Sequence, residues 1–94
     1  MNDVKMHKIY QLYDLFNDFN RLSILLELYD KELSVNEINE KTTIKSIVVF
    51  HQLEYLKTKK VVDKNEINGV EKYKIIDKTL NKFIGKMKNY VTKE

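Results

Sequence analysis

Residues 34–76, SVNEINEKTTIKSIVVFHQLEYLKTKKVVDKNEINGVEKYKII, carry the pattern that decides the fold. The stretch opens with Ser34-Val35-Asn36-Glu37, the spacing of a capping box. A hydroxyl followed three residues later by Glu satisfies two free backbone N–H groups at a helix start. A short helix through Ile38 should therefore begin here and stop near Thr42-Thr43. A second helix is expected from about Lys45 to Thr58, with Val49, Leu53 and Leu56 as its inward seam. Val61-Val62 and Val70 to Ile76 read as two strands around Asn68-Gly69. Asn-Gly is a strong two-residue hairpin signal, because both residues tolerate the positive φ of a type I′ turn.

Outward from this stretch, the chain is helical on both sides. Asp3 to Phe19 carries Val4, Met6, Ile9, Tyr10, Leu12, Tyr13, Phe16 and Phe19, mostly three and four apart. That is a helix apolar on more than half its circumference, which predicts burial on two sides. Asn20 can cap a second helix holding Leu22, Leu25, Leu26 and Leu28. Asp77 can cap a last helix whose Leu80, Phe83, Ile84, Met87 and Val91 form one stripe. The expected fold is mainly α with a β-hairpin (α+β), a single domain over residues 1–94. Its parts are an N-terminal helix at 3–19, a helix-turn-helix at about 34–58, a wing at about 61–76 and a C-terminal helix at 77–92. The competing arrangement is an all-α bundle with an incidental hairpin.

Composition narrows the function. The chain has 94 residues and no Cys, Pro, Trp or Ala; sixteen Lys stand beside one Arg, Arg21. Without Cys there is no disulfide, thiolate nucleophile or thiolate metal site. Lys, Asn, Ile and Tyr are all abundant, which fits a low-GC genome. The net charge of +3 conceals a division: residues 1–40 sum to −4 and residues 41–94 to +7. A segregated basic surface most often meets nucleic acid or an anionic membrane. No apolar run approaches the ~20 residues of a membrane span, and no signal-peptide core is evident, so a cytoplasmic protein is expected. With no Gly-rich phosphate loop and no evident partner for either His, no enzyme, catalytic residue or cofactor is expected.

Several segments resemble, in order and without gaps, the ArsR family of winged-helix DNA-binding proteins over roughly residues 18–80. They are Asn20-Arg21-Leu22-Ser23-Ile24-Leu25, Glu32-Leu33-Ser34-Val35-Asn36-Glu37-Ile38, His51-Gln52-Leu53-Glu54-Tyr55-Leu56, and Asn68-Gly69 through Tyr73-Lys74-Ile75 to Asp77. The resemblance implies a homodimer built from the first and last helices, with Ile9, Tyr13 and Phe16 against Leu80, Phe83 and Met87. It does not carry over metal sensing. Cysteine ligands are impossible, only Asp77 stands in the last helix's site, and His7 and His51 are too few for an all-nitrogen site.

The recognition helix departs from the family. Its outward face is centred on Ile47, His51, Glu54 and Thr58, with Phe50 beside it. The family usually has small polar residues at positions 47 and 50, a capping Ser at 45 and a Gly at 60. Base edges are read by donors and acceptors, so Ile47 and Phe50 can offer only apolar contact, and Glu54 repels phosphate. Three outcomes stay open: a protein-interaction module without DNA binding, binding chiefly through lysines, or packing of two recognition helices through Ile47 and Phe50. The last is implied by a resemblance to the TubR-type centromere-binding branch, whose dimers array on DNA repeats and recruit a tubulin-like GTPase. An ordinary transcriptional repressor is the alternative. Candidate DNA contacts are Lys41, Lys45, Ser46, His51, Gln52, Lys57, Lys59, Lys60, Lys64, Asn68, Lys72 and Lys74. Candidate dimer contacts are the six above with Ile47 and Phe50.

Overall fold

The computed structural model describes residues 3–92. Five helices and one antiparallel hairpin follow in the order α1 (Asp3–Phe16), α2 (Phe19–Leu28), α3 (Val35–Thr42), α4 (Ser46–Thr58), β1 (Val62–Ile67), β2 (Val70–Ile75) and α5 (Lys78–Thr92). This is the winged helix-turn-helix expected from the sequence: α3 and α4 are the two helices, and β1 and β2 form the wing.

Helix α2 is the hub. It packs against α1, α3, α4, α5 and β2. Its Ile24, Leu25 and Leu28 are fully buried and meet Ile38 of α3, Val49, Leu53 and Leu56 of α4, Val62 of β1 and Ile84 of α5 in one core. The inward seam expected for the recognition helix is therefore the buried one. Gly85 lets α5 come close to the end of α2: a Cβ there would lie 2.5 Å from the Tyr29 ring.

The local chemistry explains most of the boundaries. The capping box is complete, with the Ser34 hydroxyl accepting from the Glu37 N–H at 3.2 Å and the Glu37 carboxylate accepting from the Ser34 N–H at 3.0 Å. Asp77 accepts from the Leu80 N–H at 3.0 Å and starts α5. Asn68 (φ 52°) and Gly69 (φ 80°) make the two-residue turn, and the strands pair from Val62 opposite Ile75 to Ile67 opposite Val70.

Three expectations are corrected. The N-terminal helix stops at Phe16, not Phe19, and Asp18 rather than Asn20 caps the next one. The Asp18 carboxylate accepts the Arg21 N–H at 2.9 Å from extended backbone, and that bond fixes the break. The first helix also buries much less than its pattern suggested. Leu15 is buried and Leu12 and Phe16 pack on the core, but Val4, Met6, Ile9, Tyr10 and Tyr13 are exposed in the protomer. Finally, β1 continues through the polar Asp63–Glu66, because backbone pairing with β2, not apolar alternation, defines that strand.

One pairing had no signature in the sequence. Leu33, just before α3, forms an isolated bridge with Tyr73 of β2, exchanging hydrogen bonds of 3.0 and 2.7 Å. It fastens the base of the wing to the entry of the helix-turn-helix. Two substitutions separate cap from core. Leu53→Ala should cost about 2–5 kcal/mol through the cavity it leaves, and Ser34→Ala about 1 kcal/mol through the lost cap. Urea unfolding of the two variants measures both, and equal losses would contradict this assignment.

Candidate nucleic-acid interface

The exposed side of α4 begins at Lys45, which occupies the N-cap position and makes no side-chain capping bond. Ser46, Ile47, Phe50 and His51 follow on the surface, with Ile47 59% and Phe50 41% exposed. Phe50 meets the His51 ring edge-on at 5.7 Å between centroids. Lys41, on the last turn of α3, is exposed beside the turn that leads into this helix. At the other end Lys59 lies 5.5 Å from the Tyr55 ring centroid, and Lys60 turns the chain out of the helix at φ 61°. Among the described residues, Lys41, Lys45, Lys59, Lys60 and Lys74 make none of the ion pairs found, so these five ammonium groups remain available to an anion.

The remaining lysines expected at DNA are engaged. Lys64 lies 2.9 Å from Glu71 and 4.0 Å from Glu54, and Lys72 lies 3.2 Å from Glu37. Lys57 is 3.9 Å from Glu54. Glu71 raises the Lys64 pKa, chiefly by hydrogen bonding to the charged form. The lysines of both strands are thus tied across the wing or back to the helix-turn-helix. Lys74 and the turn residue Asn68 are exposed on the wing and make none of the ion pairs found among the described residues.

Glu54 has a different part from the one its position suggested. Its carboxylate accepts the Tyr73 hydroxyl at 2.8 Å and stands near both Lys57 and Lys64. Tyr73 is only 1% exposed. Burial, followed by the bond to Glu54, pushes its hydroxyl pKa well above the ordinary value of 10. Glu54 therefore fixes the recognition helix to the wing, and the charge expected to repel phosphate is shared with two ammonium groups. The available signal was Tyr73 itself: a Tyr on the inner face of a strand needs a partner for its hydroxyl.

Gln52 is withdrawn from the surface in a similar way. Its amide oxygen accepts from Arg21 Nε at 3.0 Å, and its nitrogen donates to Asp18 at 3.3 Å. Arg21 also donates to the Asp14 carbonyl at 2.7 Å and sits 4.4 Å over the Tyr55 ring. Tyr55 completes the cluster by donating to the Asp14 carboxylate at 2.7 Å, the main reason its pKa is raised. The single arginine thus joins the ends of α1 and α2 to α4. In the protomer the Gln52 amide, expected at DNA, is occupied by these two bonds and links α4 to the start of α2.

The candidate dimer residues divide. Leu80 is 4% exposed and belongs to the protomer's own core. Met87 packs partly on the same core, and Phe16 stacks on Phe83 at 5.7 Å within one chain. Ile9, Tyr13 and Phe83 remain exposed, as do Val4 and Tyr10 on α1 and Tyr90 and Val91 on α5. No group of three or more His, Asp or Glu among the described residues could hold a metal ion. No helix among them is long and apolar enough to cross a membrane.

No protein-family model and no curated protein matches the chain. Solved structures do match. The transcriptional regulator HlyU from Vibrio vulnificus superposes with a TM-score of 0.86 at 20% identity, over 94% of this chain and 92% of that one. The transcriptional repressor PagR of Bacillus anthracis gives 0.76 at 22%, over 92% and 99%. The homodimeric winged helix-turn-helix domain Mb0332 from Mycobacterium bovis, a possible ArsR-family regulator, gives 0.73 at 19%, over 98% and 88%. Identity at this level establishes the fold. The wing tether supplies a test by pH. The bond from the Ser34 N–H, with Lys72, lowers the Glu37 pKa from 4.5. A group with a lowered folded-state pKa stabilises above its unfolded value and loses that contribution as pH falls through the folded value. The urea midpoint should therefore fall less steeply below about pH 4.5 in Glu37→Gln than in the parent.

Proposed function

We propose that the protein is a double-stranded-DNA-binding transcriptional regulator that acts as a homodimer and carries no metal sensor. The supporting observation is a winged helix-turn-helix whose exposed helix is flanked by unpaired lysines, Lys41 and Lys45 at one end and Lys59 and Lys60 at the other. The matched regulator and repressor share this fold and favour regulation over partition. Lys is a point charge that positions phosphate, whereas bidentate guanine recognition calls for Arg. The sole Arg is committed to the Asp14–Tyr55 cluster. Sequence discrimination therefore falls to Ser46, His51, bridging water and DNA shape.

The homodimer reading is supported by exposed apolar side chains on α1 and α5, Ile9, Tyr13 and Phe83 among them, since exposed apolar surface is where protein partners dock. A specific observation also supports the partition-type reading: Ile47 and Phe50 stand exposed where a base-reading helix ordinarily carries polar groups. In that arrangement the two apolar side chains pack between recognition helices, dimers array on repeats and a tubulin-like GTPase is the partner. Nothing in the matched structures supports that partner.

Salt and mutation test both readings. With DNA from the gene's upstream region, log K should fall linearly with log salt at about 0.9 per phosphate contacted. Lys41→Gln and Lys45→Gln should each lower that slope by roughly one, while Lys64→Gln and Lys72→Gln, whose ammonium groups are held by Glu71 and Glu37, should change it less. Affinity indifferent to salt would sink the DNA-binding reading. Tyr13→Glu should yield monomers by sedimentation. Ile47→Lys leaving assembly on repeated sites unchanged would remove the partition-type arrangement and retain the simple regulator.

A further inference from the structure

A cleft of about 380 Å³ lies between α1, the joint of α4 with the wing, and the first turns of α5. That is within the range of small-molecule sites, roughly 300–1,000 Å³. Its apolar wall is Leu12, Leu15 and Phe83, and its charged groups are Lys8, Lys59, Asp14 and Asp77. Neither lysine forms any of the ion pairs found among the described residues. Each carboxylate spends one oxygen inside the protein, Asp14 on the Tyr55 hydroxyl and Asp77 on the Leu80 N–H, and keeps the other. The opening therefore offers two positive and two negative groups beside an apolar surface.

We propose that this cleft is an effector site for a small zwitterion with an apolar or aromatic group, of the hydrophobic amino-acid class, and that its occupancy changes DNA affinity. The carboxylate goes to Lys8 and Lys59, the ammonium to Asp14 and Asp77, and the side group against Leu12, Leu15 and Phe83. A purely cationic or anionic ligand would satisfy one pair and face the other unpaired. The coupling follows from what the walls are. Lys59 is the C-cap of the recognition helix, and Val61, also in the wall, leads into the wing. The Val61 N–H donates to the Leu56 carbonyl at 3.0 Å, and its carbonyl accepts from the Ile76 N–H at 2.9 Å. A ligand here touches both the exposed α1–α5 surface and the pivot between helix and wing. The coupling rests on the DNA-binding reading; the binding site does not.

The chain has no Trp, so L-tryptophan is itself the probe, its indole emission excited selectively in the presence of full-length protein. A saturable blue shift is expected. Tryptamine and indole-3-propionate, each lacking one charge, should bind at least about tenfold more weakly, since one good ion pair in a partly dry site amounts to that factor or more. Lys8→Gln, a change on the exposed face of α1 that breaks none of the ion pairs found among the described residues, should weaken L-tryptophan binding and leave urea stability unaltered. An unsaturable signal, equal binding of the three compounds, or an unaffected Lys8→Gln variant overturns the site. Saturable binding with unchanged DNA affinity overturns the coupling. Saturable binding by a protein that holds no DNA overturns the regulator reading and leaves the site standing.

Discussion

Tyr73 is the residue on which the relation between wing and helices depends. Its backbone pairs with Leu33 on one side of β2 while the strand's own register places Lys64 on the other. Its ring is buried, and its hydroxyl reaches Glu54 in the middle of the recognition helix. A two-stranded hairpin alone is marginal in water; here one residue gives it a core contact and a polar anchor through its side chain and a third strand segment through its backbone. A buried hydroxyl left without an acceptor costs about 1–3 kcal/mol. The Glu54 bond thus also penalises any wing orientation that would break it.

Charge is spent in a corresponding pattern. Glu37, Glu54 and Glu71 take up Lys57, Lys64 and Lys72. The basic excess that faces solvent near the helix-turn-helix is therefore smaller and more localised than the +7 of residues 41–94 suggests. What remains near the helix-turn-helix lies at the two ends of α4 and on Lys74, and a further share of the charge, Lys78, Lys82 and Lys86, is exposed on α5. Ion pairs at such exposure contribute little stability individually. Their physical effect is to fix where the wing stands and to limit where phosphates can be held.

Much of the fold was legible in the sequence because local rules carry it. The Ser34-x-x-Glu37 box, the Asn68-Gly69 turn, the seam of Val49, Leu53 and Leu56 and the Asp77 cap are short-range patterns with one physical meaning each. The interface was less legible. Whether Gln52 or Lys72 faces DNA depends on partners thirty or more residues away, Asp18 and Arg21 for the first and Glu37 for the second. Charge counts see none of these. Leu80, expected at the dimer seam, is buried in its own protomer for a related reason: a stripe on a helix does not say whether its own chain or another covers it. The break between α1 and α2 was missed because an apolar period ran through it, while the bond from Asp18 that ends the first helix is a matter of one carboxylate.

The turn between α3 and α4 bears on how much more stable this protein could become. Thr43 sits there at φ 62°, a left-handed conformation that a β-branched side chain adopts at a cost. Pegs beside it hold the turn: the Asn39 amide donates to the Ile44 carbonyl at 2.6 Å, and the Ile44 N–H donates to the Thr42 hydroxyl at 3.2 Å. Position 43 therefore stores strain that the neighbouring bonds, not Thr43's own shape, keep in place. Heat resistance in this chain has room to grow at a surface corner, with the packed interior and the lysine-flanked helix left as they are.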